Sequence, residues 1–208
     1  MRPHAKKLSG AAVTALLALV LGLAPGCLGS SPRTQFYMLN SLGTPATDSP
    51  AGPEKTARVV AVGPVELPAY LDRPQIVLRQ GPNQLEFTEF EHWAEPLDKS
   101  FSRVLLEDLT NLLNSQDFRF YPWRSQVNFD FQVAVNVLAF EGNQAGQAVL
   151  TADWLIFRGR QDPQAAARGH SHIVREIGAW STASLVAAQS GALAELAREI
   201  AAALGKLK

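Results

Sequence analysis

The side chains able to do chemistry in this sequence are few. It contains one cysteine, Cys27, and four histidines, His4, His92, His170 and His172. His170 and His172 are two positions apart, so on a β-strand both would share a face and could begin a metal site. No third ligand lies near them in the sequence, and a loop rich in glycine, alanine and arginine precedes them. We therefore favour exposed residues at a hairpin edge and predict no metal site.

The serines and acidic residues do not form a catalytic pattern. No serine lies in a Gly-x-Ser-x-Gly nucleophile elbow. Asp130 and Asp153 alternate with apolar neighbours, as residues on the solvated face of a sheet do. Glu86, Glu89 and Glu91 lie close together, but no phosphate-binding loop or redox motif accompanies them. The sequence therefore predicts a protein that is not an enzyme; a hydrolase with an unrecognised site is the remaining catalytic alternative.

Residues 1–26 are organised as a secretory signal. A short basic segment precedes an apolar run over residues 11–24, which is shorter than the roughly 20 residues that a transmembrane helix needs. Residues 23–27, Leu-Ala-Pro-Gly-Cys, resemble the lipobox of bacterial lipoproteins, with the leucine one position further from the cysteine than is usual. We predict that Cys27 carries covalent lipid as the only attached group and that residues 27–33 form a tether. The alternative is an ordinary signal cut near Ala24 that leaves Cys27 as a free thiol.

The charge and length of the mature chain exclude some classes of partner. Removal of residues 1–26 takes away three basic residues and no acidic one, which leaves 16 basic and 19 acidic residues and a formal charge of −3. Without a basic stripe to neutralise phosphates, nucleic acid is not a predicted partner. A single cysteine allows no disulfide within the chain. The mature length suits one domain, residues 34–208, with a hydrophobic core of its own.

Hydrophobic periodicity predicts an α+β fold for that domain. Alternating or β-branched runs predict strands at residues 35–39, 58–67, 75–80, 85–91, 118–123, 127–137, about 150–156 and about 172–181. Apolar residues at helical spacing predict helices over 97–114 and 183–204, with Gly205 as a C-cap glycine. Residues 41–57, rich in Pro, Gly, Ser and Thr, predict a mobile loop. The expected architecture is a mainly antiparallel sheet with the two main helices packed on one side.

Two connecting segments, or corners, each stiffened by proline, contain aromatic and apolar residues that the predicted strands and helices do not account for. Pro68 to Pro74 contains Tyr70 and Leu71, and the segment before the first helix contains Trp93 and Pro96. One interpretation is that Tyr70 and Trp93 pack the rim of the core. The other is that these corners form a protein–protein surface, where aromatic residues often supply the anchors.

The same segments carry a family resemblance. Residues 61–77 (AVGPVELPAYLDRPQIV) resemble the signature stretch of the PqiC-like, or YmbA-like, ABC-type transport auxiliary lipoproteins, and residues 90–97 (FEHWAEPL) are similar to that family's second block. Residues 121–123, residues 185–190 with the helix they begin, and the strand at 36–39 match further positions. The resemblance covers nearly the whole mature chain in the same order.

This resemblance implies a noncatalytic, periplasm-facing lipoprotein of the outer membrane. It implies an MCE-domain protein as partner in an ABC-type system for lipids or other hydrophobic molecules, and assembly into a homo-oligomeric ring. Leu28, rather than aspartate, follows Cys27, which resembles the sorting pattern of outer-membrane lipoproteins. Tyr70, Leu71, Trp93 and Pro96 are the predicted partner contacts. The alternative function is an envelope lipoprotein that regulates or braces cell-wall synthesis.

Overall fold

A computed structural model describes residues 32–41, 58–114, 118–121, 128–159 and 164–207. The predicted signal peptide, Cys27, residues 42–57 of the predicted loop, Pro122 and Trp123 lie outside these residues. Thr34–Lys208 form one compact unit. Its elements are β1 (Gln35–Tyr37), β2 (Val60–Glu66), β3 (Gln75–Gly81), β4 (Gln84–Trp93), α1 (Leu97–Leu113), β5 (Phe118–Phe120), β6 (Phe131–Asn143), β7 (Gln147–Arg158), β8 (Ala165–Glu176) and α2 (Thr182–Lys206).

All eight strands join in one sheet around β6. Along one side of β6 runs β7, which in turn pairs antiparallel with β8. The other side of β6 is shared, because β2 pairs with its first half and β3 with its last residues. β5 extends the sheet beyond β2, and β4 followed by β1 extends it beyond β3. The long antiparallel ladders of β6, β7 and β8 confirm the predicted mainly antiparallel sheet, although four shorter pairings are parallel.

Alternation along the long strands produces the core. On β7, Leu150, Ala152 and Ile156 are fully buried, whereas Asp153 and Leu155 between them are exposed. The buried faces of β6 and β8 continue this layer, and α2 packs across all three strands. α1 packs against α2 and β2, and its Phe101 makes an edge contact with Phe140 of β6 at 5.4 Å between ring centroids. Both helices therefore cover one side of the sheet, as the sequence predicts.

The element boundaries differ from the sequence prediction at several places, and β8 shows the largest difference. β8 begins at Ala165 rather than near 172, because backbone pairing with β7 extends beyond the hydrophobic alternation, and it ends at Glu176 rather than near 181. β6 likewise continues through Glu141 to Asn143. α2 runs through Gly205 to Lys206, and Leu207, not Gly205, ends the helix in an extended conformation. In the part of the chain that the structure describes, neither helix is long and apolar enough to cross a bilayer.

Candidate interaction surface

The loop between β2 and β3 forms the first predicted contact corner. Its chain turns where the Leu71 backbone N–H donates to the carbonyl oxygen of Pro68 at 2.8 Å. The Leu71 side chain is only 2% exposed and belongs to the core. Tyr70, one residue earlier, is partly buried and directs its hydroxyl towards β6. The turn thus sends two consecutive side chains to different parts of the domain.

The Tyr70 hydroxyl belongs to a hydrogen-bonded ionic network around the buried Glu141. It donates to Glu141 Oε2 at 2.6 Å, and Arg79 Nε donates to Glu141 Oε1. Glu141 is 2% exposed, so these two partners supply the hydrogen bonds that a buried carboxylate requires. Burial, reinforced by the neighbouring Glu141 carboxylate, raises the pKa of Tyr70 far above its ordinary value. The hydrogen bond to Glu141 also raises the pKa of the Arg79 guanidinium.

The second corner lies between β4 and α1 and is joined to the first by the backbone. The backbone N–H of Trp93 donates to the carbonyl oxygen of Pro74 at 2.7 Å. Trp93 itself is 5% exposed and packs in the core. Pro96 is exposed and caps α1, where its carbonyl accepts from the N–H groups of Lys99 and Ser100. Proline suits a helix start because the first N–H groups of a helix have no partner within it.

The structure therefore divides the four predicted contact residues into two pairs. Leu71 and Trp93 are core residues, so in the isolated chain they shape the two corners and have almost no surface to offer a partner. Tyr70 and Pro96 retain exposed surface. The interpretation that Trp93 and Tyr70 pack the rim of the core agrees with their positions. Whether any of the four contacts a partner stays a prediction.

A cavity that the sequence does not predict adjoins the Tyr70 network. It has a volume of about 800 Å³ and lies between the β3–β4 hairpin, the β6–β7 turn and Trp180. Arg79 lines it from β3, which connects it to Glu141. Gln144 Nε2 donates to Gln80 Oε1 at 2.7 Å across the cavity wall. Trp180 is 54% exposed, and its position in a Gly-Ala-Trp-Ser connection before α2 is the sequence signal that would have pointed to it.

The histidine pair lies on the outer face of the sheet. His170 Nδ1 is 2.7 Å from Asp153 Oδ1 on β7, and His172 Nδ1 is 2.9 Å from Thr151 Oγ1. Both rings are exposed on β8, which agrees with the interpretation of edge residues. Within residues 32–41, 58–114, 118–121, 128–159 and 164–207, no three His, Cys, Asp or Glu side chains are grouped to hold a metal ion.

Comparisons with known proteins give a family and a fold. The model of the family described as "ABC-type transport auxiliary lipoprotein component" matches residues 37–201. A crystallised uncharacterised protein is 19% identical, with a TM-score of 0.67, over 83% of this chain and 99% of its own. Protein XCC0632 from Xanthomonas campestris is also 19% identical, with a TM-score of 0.66, over 81% of this chain and 93% of its own. At these identities the two structures show a shared fold. No curated protein matches the sequence.

Proposed function

This chain belongs to the family of ABC-type transport auxiliary lipoprotein components, and on that premise we propose that it is the noncatalytic lipoprotein subunit of an MCE-type system moving lipids or other hydrophobic molecules. The observation that carries the proposal is the family match from β1 into α2, which includes both corners and the cavity wall. The coarser conclusion, a transport-associated lipoprotein anchored in the cell envelope, follows from the family itself.

The proposed place of the protein is the outer membrane, with the domain facing the periplasm. Lipid on Cys27 would provide the anchor, since several acyl chains together make membrane attachment durable. The signal-like residues 1–26 and Leu28 after the cysteine support this proposal. A noncatalytic role is supported by Glu141, the most buried carboxylate among the described residues, because Tyr70 and Arg79 occupy both of its oxygens.

The proposed docking surface for an MCE-domain protein consists of the two corners, residues 68–74 and 94–96. The Trp93–Pro74 hydrogen bond holds them side by side, and the buried Leu71 and Trp93 fix their shape from beneath. A homo-oligomeric ring is proposed as the assembly that presents this surface. β8 pairs only with β7 among the described strands, so its outer edge is available to a neighbouring subunit.

Exposed alanines at the two corners allow a test that spares the fold. Ala69→Arg and Ala94→Arg each place a long cation on the proposed surface without removing a core contact. Each should reduce recovery of an MCE-domain protein with the tagged full-length lipoprotein about tenfold, because a desolvated unpaired charge costs well over 1.4 kcal/mol. Ala187→Arg, at an exposed alanine of α2, is the matched control and should leave recovery unchanged.

Two pull-down results would contradict the proposal. One is a wild-type pull-down that recovers a murein synthase and no MCE-domain protein, which favours the cell-wall alternative. The other is equal recovery of the MCE-domain protein by all three variants, which removes the docking surface from these corners. Light scattering on the detergent-solubilised full-length protein tests the ring, and a monomer at high concentration would exclude it. A gene neighbourhood with no ATPase, permease or MCE-domain protein would also count against the transport role.

A further inference from the structure

β1 and the two residues that follow it carry apolar side chains on both sides of the chain. Tyr37 and Leu39 turn inward, and Leu39 is completely buried. Phe36 and Met38 lie on the other side and are 65% and 43% exposed, which makes Phe36 the most exposed large apolar residue in the described parts of the chain. The solvated face of a strand at a sheet edge is ordinarily polar. The exposed apolar pair therefore marks the outer side of this segment as a possible contact surface.

The rest of the domain fixes the direction in which Phe36 and Met38 point. β1 pairs with β4 from Gln35 to Tyr37, and the Ala94 N–H donates to the Tyr37 carbonyl at 2.8 Å. The Asn40 N–H donates to Ser190 Oγ of α2 at 3.2 Å. With Leu39 enclosed in the core between these bonds, the outer side of the segment faces away from the core. The Phe36 ring meets the His92 ring edge-on, with 6.2 Å between centroids, and most of its surface stays exposed.

The position of this pair in the chain identifies what covers it. Phe36 follows Cys27 by nine residues, a length of chain that spans at most about 30 Å even when fully extended. Arg33, between them, is exposed and basic, but the neighbouring β4 carries Glu86, Glu89 and Glu91, so the reach of the chain, and not charge, favours the bilayer as the occupant. If Cys27 is lipidated, a bilayer is always within reach of β1. A partner protein would have to compete with that bilayer for the same narrow space.

We propose that Phe36 and Met38 enter the interfacial region of the bilayer that holds the Cys27 lipid, so that β1 is a second membrane contact and sets the orientation of the domain. This inference rests on the proposed lipidation of Cys27. Acyl chains already supply durable attachment. The membrane contact of β1 therefore sets the orientation of the domain and adds little to its attachment. The sheet edge formed by β1 and β4 faces the membrane, and the domain does not rotate freely about its tether.

The lone cysteine makes a direct experiment possible. Lipidation consumes the Cys27 thiol, so a cysteine introduced elsewhere is the only site for a fluorescent label. Met38→Cys is the test variant, and Val174→Cys on the outer face of β8 is the matched control, because both native side chains are 43% exposed. The full-length lipidated protein is reconstituted in vesicles of phosphatidylethanolamine and phosphatidylglycerol that contain brominated lipids. Flotation of the vesicles first establishes that the protein is anchored.

The label at position 38 should shift its emission to the blue and be quenched at least about twofold more than the label at position 174, since interfacial groups lie roughly 5–10 Å into the boundary region. Adding Phe36→Asp to the Met38→Cys variant should reduce this quenching while leaving flotation unchanged. Equal quenching at 38 and 174 in protein that floats would overturn the inference and leave the anchor intact. Protein that does not float would overturn the proposed lipid anchor, and the inference with it.

Discussion

Glu141 shows how far single residues can be understood from this sequence. The segment 141–146 reads as a polar turn, whereas Glu141 is a buried residue near the end of β6. Its partners, Tyr70 and Arg79, lie 71 and 62 positions away in the chain. No local pattern encodes such a pairing, because it depends on β3 lying beside the end of β6. Tyr70 could be selected as unusual from the sequence, but its hydrogen-bond acceptor could not.

At the residue scale, Tyr70→Phe tests the buried network through the pH dependence of stability. The variant leaves one oxygen of the buried Glu141 without its donor, so we expect the free energy of unfolding at neutral pH to fall by about 1–3 kcal/mol. The pKa of Tyr70 is raised in the folded protein. The stabilisation that the Tyr70 hydroxyl gives the folded protein is therefore complete below the unfolded-state tyrosine pKa of about 10. It is lost progressively as the pH rises beyond that value.

Urea unfolding of wild type and Tyr70→Phe between neutral and strongly alkaline pH would measure this effect. The difference between the two proteins should shrink above about pH 10. Tyr37→Phe is the control, since its hydroxyl bonds only to the exposed side chain of Gln35 among the hydrogen bonds assigned to it. A difference that stays constant with pH would mean that the Tyr70 hydroxyl does not titrate with folding.

At the scale of elements, hydrophobic periodicity predicts every helix and strand but not every boundary. α1 and α2 have long apolar stripes, and their predicted spans lie within one or two residues of those observed. The start of β8 is different. Residues 165–169 are alanine, arginine and glycine, with too little apolar contrast to indicate a strand, and the ladder with β7 determines their conformation. Propensity alone therefore shortens this strand.

Gly169 is one reason why the sequence gives little indication of a strand at residues 165–169. The ring of Trp154 occupies the space that a side chain at this position would need. A Cβ atom at this position would lie 2.2 Å from Cζ2 of Trp154, its cross-strand neighbour on β7. Gly169→Ala should destabilise the protein by about 1–3 kcal/mol, the usual cost of overpacking a filled site. Thermal unfolding followed by Trp fluorescence would measure it. In Gly205→Ala the new Cβ meets nothing within 4 Å, so this control should be neutral or slightly stabilising.

At the scale of the whole molecule, the family and the architecture could be predicted from the sequence. Which apolar residues lie on the surface could not. The blocks at 61–77 and 90–97 contain the two corners, and a backbone hydrogen bond from Trp93 to Pro74 joins them. Leu71 and Trp93 nevertheless proved to be core residues. Which apolar residues are buried depends on the packing of distant elements, and the outward position of Phe36 and Trp180 has the same origin.

Anchoring is the property of the whole molecule that can be tested most directly. Mass spectrometry of the wild-type protein from membranes should find Cys27 acylated, and Cys27→Ser should abolish the acylated species. Circular dichroism of the variant should match the wild type, since Thr34–Lys208 form their own compact unit and Cys27 lies outside it. An unmodified Cys27 thiol in wild-type membrane fractions would exclude the lipid anchor.

The sharing of β6 between β2 and β3 has a consequence for how the protein is made. Synthesis proceeds from the amino terminus, so β2, β3 and β4 all emerge before the strand on which both branches of the sheet are built. Until β6 follows, the edges of β2 and β3 that will pair with it have no strand partner. Contacts between strands so far apart in the chain form slowly. We therefore expect both branches of the sheet to form late, and the incomplete chain to be prone to aggregation until β6 is available.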